Sequence, residues 1–409
     1  MIVTIDRLGH HGDGIAANPE SGPVFVAGTL PGETVEGTLD GDRLTNPKII
    51  TPSPDRVKPP CRHARACGGC QLQHASDAFV AKWKQGVVET ALAAQGLSAP
   101  FLPLHTSPPN SRRRATLSAR RTKSSALIGF HARASDTIAE IPDCQLLHPA
   151  LIAAFPGLQA LVILGGSRTA ELSLQITVTK GGPDVVVTGG KPLDGALQLE
   201  LARTVEAHGF SRLTWNGEAI ALRDRPAQDI GTATVIPPPG AFLQATPQGQ
   251  AALLAAVKTA LGPQKRIVDL FCGIGTFALP LAEGAEVHAV EGDRAMTAAL
   301  ETAVRHTQNL RRLTVEARDL FRRPLDVEDL KSFTAAVIDP PRAGAEAQIA
   351  ALAQSKIPVI AAVSCNPVTF ARDAKTLLAG GYQLDWVQVI DQFRWSTHVE
   401  LAARFSRAN

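Results

Sequence analysis

Short apolar segments separated by turn residues occupy the first part of the chain. Residues 1–9, 23–28, 33–39 and 46–54 have this character, and Gly, Pro or Asp residues lie between them. Short strands with such turns are typical of a small all-β unit. We therefore predict an OB-type barrel over residues 1–56, followed by a linker in the Pro-rich stretch PSPDRVKPP.

A different pattern covers the middle of the chain. An amphipathic helix is predicted from about Ser76 to Gln95, and a strand-like, Arg-rich stretch follows over residues 111–135. Helical and strand patterns then alternate from about residue 150 to 235 without a recognisable chemical motif. We predict a central α+β domain over residues 57–240.

From Arg266 onward, apolar strands alternate with helices. The predicted strands lie in IVDLF, AEVHAVEGD, TVEARDLF, FTAAVIDPPRAG, the apolar run that ends at Val363, YQLDWVQVI and THVELAARF. Such alternation is typical of a parallel sheet with helices on both faces. The predicted fold class is therefore α/β, with a doubly wound, Rossmann-like sheet over residues 241–409.

Composition changes this picture little. Of the 409 residues, 44% are hydrophobic and 19% are charged, as in ordinary globular proteins. The N-terminus lacks a basic region followed by an apolar one, and no run of about 18 apolar residues occurs. We therefore expect a cytoplasmic protein that does not enter a membrane.

The distribution of charge is more informative than the net charge of +3. Residues 112–133 contain seven Lys or Arg and no acid, which favours a surface that contacts phosphates. A solvated pair of strands with no specific partner is the alternative. Residues 1–50 contain seven acids against three Lys or Arg, so charge does not indicate that the predicted barrel contacts phosphates.

Four of the six cysteines lie outside the C-terminal region. Cys61, Cys67 and Cys70 have a Cys-x5-Cys-x2-Cys spacing, and Cys144 follows at a distance. Without a signal peptide, a disulfide framework is not expected. Four thiolates suit either tetrahedral zinc or an iron–sulfur cluster, and the spacing does not choose between them.

A glycine-rich turn after the first C-terminal strand, DLFCGIGT, allows close approach of a ligand to the backbone. The third glycine of the dinucleotide fingerprint is replaced by Ala278. Glu291 ends the second strand, where an acid would hold ribose hydroxyls, and Asp339 precedes Pro-Pro after the fourth. This order favours an S-adenosylmethionine methyltransferase over a nicotinamide enzyme. Arg342 replaces the aromatic residue expected for methylation of an exocyclic amine.

Cys365 lies in Val-Ser-Cys-Asn-Pro, directly after an apolar strand. Side chains at the carboxyl ends of strands lie where α/β folds place their chemistry, and Pro367 ends the strand. Taken alone, a buried and inert cysteine is the alternative. A hydrolytic pair with His398 is a second alternative, although no oxyanion motif accompanies it.

Together, these features resemble the RNA uracil-C5 (5-methyluridine) methyltransferases over nearly the whole chain. The matching motifs are LPGETVEG, CRHARACGGCQLQH, FLQAT, DLFCGIGT, VEGD, DPPRAG, SCNPVTFARD and HVE. The first resembles part of a TRAM domain. The cysteine loop, with Cys144, resembles the family's [4Fe-4S] site.

The resemblance implies an enzyme that methylates C5 of an RNA uridine, with Cys365 as nucleophile and Glu400 as proton acceptor. It implies that the methyl donor contacts Gln244, Phe271, Thr276, Glu291, Asp319 and Asp339. It implies that the cluster ligands are Cys61, Cys67, Cys70 and Cys144. Cluster and TRAM domain favour 23S ribosomal RNA over transfer RNA, by analogy. A non-catalytic iron–sulfur RNA-binding module is the remaining alternative.

The chain departs from the family pattern at three places. Thr246 replaces an Asn that usually follows the Gln of the F-x-Q motif, and Thr276 replaces an Asn after the glycine-rich turn. We expect these changes to alter donor contacts. Arg394-Trp395 replaces a common Phe-Pro turn and leaves the path into the last strand open.

Overall fold

The computed structural model describes residues 1–17 and 22–407. Its N-terminal part contains the strands β1 (Ile2–Thr4), β2 (Arg7–Leu8), β3 (Asp13–Ala16), β4 (Val24–Ala27), β5 (Thr34–Asp40) and β6 (Arg43–Thr51). Their order in the sheet is β1-β5-β6-β4-β3-β2. The two edge strands of this sheet, β1 and β2, follow one another directly along the chain. Strand β1 pairs with β5 at one edge, and β2 pairs with β3 at the other. This sheet packs around a small apolar core of its own.

Strands form in all four segments predicted in this region. The additional strand β3 has the sequence Asp-Gly-Ile-Ala, in which apolar alternation is too short to be recognised.

The middle of the chain forms a seven-stranded sheet of order β10-β9-β8-β11-β12-β13-β14, with helices packed against it. The elements are α1 (Asp77–Ala93), β7 (His105–Thr106), β8 (Arg114–Arg121), β9 (Ala126–His131), β10 (Ile138–Glu140), α2 (Pro149–Ala153), α3 (Phe155–Gly165), β11 (Leu172–Thr177), β12 (Asp184–Thr188), α4 (Gly195–Ala207), β13 (Arg212–Trp215), β14 (Glu218–Leu222), β15 (Gln228–Ile230) and β16 (Ala233–Val235). The predicted central region is thus mixed α and β, and β15 and β16 form a separate hairpin.

The C-terminal part contains an eight-stranded sheet with helices on both faces. The elements are α5 (Pro247–Leu261), β17 (Arg266–Leu270), α6 (Ala278–Ala282), β18 (Glu286–Glu291), α7 (Arg294–His306), β19 (Leu313–Ala317), α8 (Val327–Leu330), β20 (Ala335–Ile338), α9 (Glu346–Gln354), β21 (Val359–Ser364), α10 (Pro367–Ala379), β22 (Gln383–Asp391) and β23 (Leu401–Ser406). The α/β prediction for this region is confirmed.

The strand order of this sheet is β19-β18-β17-β20-β21-β23-β22-β7. All pairs are parallel except those of β23, which is antiparallel to both neighbours. Strands β20 and β21 are buried along their whole length, as expected for strands covered on both faces. Chain order reverses between β17 and β20, so the carboxyl ends of these strands open the crevice where such sheets bind ligands.

The boundary predicted at residues 240/241 does not separate the packing units. Helix α1 contacts α10 and β22, and its Val88 and Leu92 are buried in the core of the C-terminal sheet. Strand β7 pairs with β22 at the sheet edge. Part of the predicted central region therefore builds the C-terminal domain.

None of the helices within residues 1–17 and 22–407 combines the length and the apolar character needed to cross a membrane.

Candidate active site

The glycine-rich turn after β17 brings backbone to the mouth of the crevice. Phe271, Gly273 and Gly275 all have positive φ angles, of 62°, 56° and 94°. A side chain on Gly275 would lie 2.5 Å from Leu300 Cδ1, whereas Gly273 faces open space. The turn is therefore closely packed on one side and free for a ligand on the other.

A cavity of about 490 Å³ begins at this turn and runs along the carboxyl ends of the strands. The predicted site residues that line it are Phe271, Thr276, Glu291, Asp319, Asp339, Cys365 and Glu400. The structure thus places the predicted nucleophile, the predicted base and most predicted donor contacts around a single space.

Glu291 and Asp319 are fixed by backbone amides. Glu291 accepts hydrogen bonds from Gly273 N and Asp293 N, both at 3.0 Å. Asp319 accepts one from Phe321 N at 3.0 Å. The prediction that Asp319 lies within the third strand is wrong, because β19 ends at Ala317 and Asp319 lies in the turn that follows.

Phe321, which the sequence analysis missed, lines the same cavity beside the predicted Phe271. The Phe271 and Phe321 rings lie 5.4 Å apart, and Phe321 is half exposed. A flat apolar ligand group could pack there. An aromatic residue two positions after Asp319 was the available signal.

Cys365 lies between the end of β21 and the start of α10. Asn366 caps α10 by accepting from Val368 N at 3.1 Å, and its side-chain amide donates to Arg342 O at 2.9 Å. Pro367 is the first residue of the helix. The half-buried thiol therefore projects into the cavity from a rigid strand-to-helix turn, as its sequence setting indicated.

Three acidic groups share this end of the cavity. Burial raises the pKa of Glu400 to about 8, and the charge of Asp339 adds to that effect. Burial raises the pKa of Asp339 to about 7. Burial also raises the pKa of Cys365, with further contributions from Glu400 and Asp339. Asp339 opposes ionisation of Glu400, and both acids oppose ionisation of Cys365. A cation in the cavity would favour the charged forms of these groups.

Gln244 does not line the cavity, in contrast to the other predicted donor contacts. Its side chain is 1% exposed and lies behind Asp339, with Nε2 3.5 Å from Asp339 Oδ2. Thr246 is equally buried and caps α5 by accepting from Gly249 N at 2.9 Å. Thr246 thus has a capping role at the start of α5.

The hydrolytic alternative has little support in the geometry. Arg342 Nη2 lies 2.6 Å from His398 Nδ1. Burial lowers the pKa of His398 to about 4, and the Arg342 charge acts in the same direction. A neutral imidazole already engaged by a guanidinium is a poor partner for a thiol.

The turn between β22 and β23 is held from the central region. Trp395, with a positive φ of 59°, accepts hydrogen bonds on its carbonyl from Gln71 N and Leu72 N, both at 2.9 Å. Arg394 pairs with Asp77 at 2.5 Å. The departure from Phe-Pro thus creates a turn bound to the cysteine loop and to the start of α1.

The four predicted cluster cysteines line a second cavity, of about 260 Å³. Arg112 and His398 line it too, and His398 also borders the active-site cavity. Within residues 1–17 and 22–407, no three His, Cys, Asp or Glu side chains form a group that could hold a metal ion. The thiols therefore surround a space and do not converge on one point.

The first part of the Arg-rich stretch is not an exposed phosphate-binding surface. Arg113 is buried and bonds to Gln244 O at 3.0 Å and to Gln250 Oε1 at 2.5 Å. Arg112 lines the cysteine cavity, and the Arg114 guanidinium lies 5.5 Å from the Phe242 ring centre. Arg113 and Arg114 thus contact the C-terminal region, whereas Lys123 at the hairpin tip is exposed.

Fold and cavity define a class I methyltransferase, and comparison with known proteins narrows the class. Residues 239–407 match the family model described as tRNA (Uracil-5-)-methyltransferase. A Rhizobium meliloti protein named as an uncharacterized RNA methyltransferase is 43% identical over 99% of both chains. The 23S rRNA (uracil(1939)-C(5))-methyltransferase of Halomonas elongata is 33% identical over 97% of this chain and 88% of its own.

Among solved structures, the Pyrococcus abyssi tRNA (uracil-54, C5)-methyltransferase in complex with S-adenosyl-L-homocysteine has the same fold. Its TM-score is 0.76 at 23% identity, and the match covers 99% of both chains. The chain belongs to the RNA (uracil-5-)-methyltransferase family. It is an S-adenosylmethionine-dependent enzyme that acts on RNA.

Replacing Glu400 by Gln is expected to stabilise the fold, and more so at alkaline pH. The folded protein keeps the Glu400 proton up to a pKa of about 8, against an ordinary value of 4.5. The unfolded chain therefore binds fewer protons between these values, and stability falls as the pH rises through them. Gln cannot ionise and avoids this loss. Thermal unfolding of both proteins at about pH 5 and pH 8.5 measures the effect.

Glu346→Gln is the matched control, because that side chain is exposed. If the gain from Glu400→Gln were the same at both pH values, Glu400 would not be a buried group with a raised pKa.

Proposed function

We propose that the protein methylates C5 of a specific uridine in 23S ribosomal RNA, with Cys365 as nucleophile and Glu400 as base. The observation that carries this proposal is that one cavity is lined by Cys365, Glu400 and five of the predicted donor contacts. Membership of the RNA (uracil-5-)-methyltransferase family supplies the reaction class.

The chemistry requires both side-chain types. Uracil C5 is a weak nucleophile until a thiolate adds to C6, which places negative charge on the ring as an enolate. C5 then attacks the sulfonium methyl group, which leaves the donor as a neutral thioether. Glu400 takes the C5 proton, the C5=C6 double bond re-forms, and the Cys365 thiolate leaves.

The acidic groups suit a cationic donor. Burial raises the pKa of Asp339 to about 7, and burial together with the Asp339 charge raises the pKa of Glu400 to about 8. The sulfonium carries the positive charge that would offset this repulsion. Binding of S-adenosylmethionine would thus leave Glu400 in the form that accepts a proton.

Two relatives bear on the RNA target. The Halomonas elongata protein, named for 23S ribosomal RNA, matches this chain over nearly its whole length. The Pyrococcus abyssi protein, named for transfer RNA, supports the fold alone at 23% identity. Ribosomal RNA is therefore the proposed substrate and transfer RNA the second candidate. In either RNA, the target base must leave its stack to reach the half-buried Cys365. The proposed location of the reaction is the cytoplasm.

The cysteine cavity is the proposed site of a bound inorganic group. Four thiolates suit either tetrahedral zinc or an iron–sulfur cluster. A cavity of about 260 Å³ lined by four thiols leaves room for a larger group, which we propose is [4Fe-4S]. Arg112 lines the same cavity and would offset the negative charge of the thiolates.

The proposed role of this group is structural, since methyl transfer needs no electron. The loop after Cys70 holds the Trp395 carbonyl, and Trp395 lies in the turn that leads to Glu400. For the N-terminal sheet we propose a TRAM-like support role. Its Asp13 pairs with Arg133 of the central region, and Arg56 pairs with its Glu33 at 2.5 Å.

Glu400→Gln is expected to trap the RNA on the protein. Cysteine addition and methyl transfer do not need the base, whereas elimination does. A covalent complex resistant to denaturing electrophoresis should therefore accumulate on a 23S ribosomal RNA transcript. Cys365→Ser is the control and should form none. If Glu400→Gln turned over at the unaltered rate without an adduct, Glu400 would not be the base.

Anaerobic purification is expected to give brown protein that contains iron and acid-labile sulfide in equal amounts. Cys70→Ser should lower the iron content, while Cys272→Ser, outside the cysteine cavity, should not. Iron, sulfide and zinc analysis measures both effects. Colourless protein with one zinc per chain would contradict the cluster.

A further inference from the structure

We propose that Gln392 is a positioning residue for the reaction. It holds Glu400 as a proton acceptor and ties it to the donor side of the cavity. The inference rests on the proposed role of Glu400. Gln392 does not line the cavity, and no motif of the sequence analysis contained it.

The contacts of Gln392 all converge on the site. It follows β22, and its side chain is 1% exposed. Nε2 donates to Glu400 Oε2 and to Gln244 Oε1, the second at 2.5 Å. Oε1 faces Thr246 N at 3.4 Å. One buried amide therefore contacts the base and a residue behind the donor site.

The direction of these hydrogen bonds matters. Gln244 in turn points its Nε2 at Asp339 Oδ2. Thr246 N donates to Gln392, which in turn donates to Gln244 and Glu400. The series of hydrogen bonds thus ends at the carboxyl groups of Glu400 and Asp339, and both act as acceptors. Reversing the Gln392 amide would set its oxygen against Glu400 and its NH2 group against Thr246 N. The observed orientation thus favours an ionised Glu400.

Gln392 is anchored on both sides. Before it, Asp391 pairs at 2.6 Å with Lys84 of α1, which is fully buried. After it, the Phe393 carbonyl accepts from the same Lys84 Nζ at 3.1 Å. Ile390 N donates to Glu400 O at 2.8 Å, which fixes the base opposite the amide. Such anchoring keeps the amide within reach of Glu400.

The charges around Glu400 determine how strongly the Gln392 amide affects the pKa of Glu400. Asp339 and Asp391 raise the pKa of Glu400, whereas the hydrogen bond from Gln392 lowers it. Cys365 is a third acidic group in the cavity. The neighbouring cations are engaged elsewhere: Lys84 with Asp391, and Arg342 with neutral His398. Loss of the amide would therefore leave Glu400 protonated to a higher pH.

Two forms of the same RNA separate addition from elimination. On ordinary RNA, turnover requires removal of the C5 proton. On RNA that contains 5-fluorouridine, a base cannot remove the C5 fluorine as a cation. The covalent adduct therefore accumulates whether or not Glu400 is active. The probe is a 23S ribosomal RNA transcript made with uridine or with 5-fluorouridine.

The test variant is Gln392→Met, which keeps chain length and removes the polar atoms. The rate at which this variant forms the adduct on 5-fluorouridine RNA should stay within about threefold of the rate of the unaltered protein. Turnover on ordinary RNA should fall about tenfold at pH 7, with covalent complex accumulating, and should recover toward pH 9. Gln388→Met is the matched control, since Gln388 lies on the same strand and bonds to Pro103 O. It should change neither rate.

Three results would overturn the inference: unchanged turnover, equal loss on both RNAs, or a deficit that does not depend on pH. If Gln392→Met fails to fold, Gln392→Leu carries the same expectations. Failure of the proposed function would be recognised separately, in the unaltered protein. That protein would bind the 5-fluorouridine RNA and form no covalent adduct with it.

Discussion

Burial of several acidic groups in one cavity is the constraint on which this active site depends. Asp339, Glu400 and Cys365 come from three separate strand ends and share a space that raises the pKa of each. Unrelieved, such burial costs stability, so it persists only where the surrounding structure enforces it. The surroundings here are the rigid ends of β20 and β21, the turn before β23, and the buried Gln244–Gln392 pair.

The same constraint explains why the cavity wall is built from distant parts of the chain. Lys84 of α1 holds the residues on either side of Gln392, and the cysteine loop holds Trp395. Arg113 bonds to the Gln244 carbonyl. The central region thus fixes the segment that carries Glu400.

Features that depend on neighbouring residues along the chain could be predicted from the sequence. The strands of the C-terminal sheet follow from buried apolar runs, and Cys365 was placed correctly because a strand end and a Pro define its turn. Contacts between residues far apart were not predictable in this way. Gln392 and Gln244 are 148 positions apart, and Lys84 and Asp391 are 307 apart. The role of Arg113 was missed for the same reason, since an Arg-rich strand gives no sign of which side chains are buried.

The cavity favours a cation because its own acidic groups resist ionisation. Titration calorimetry at about pH 7.5, in buffers of different ionisation enthalpy, counts the protons released when a ligand binds. S-adenosylmethionine and S-adenosylhomocysteine differ by the methyl group and its sulfonium charge. We expect clear proton release when S-adenosylmethionine binds and much less when S-adenosylhomocysteine binds. Equal release with both ligands, or none with either, would contradict it.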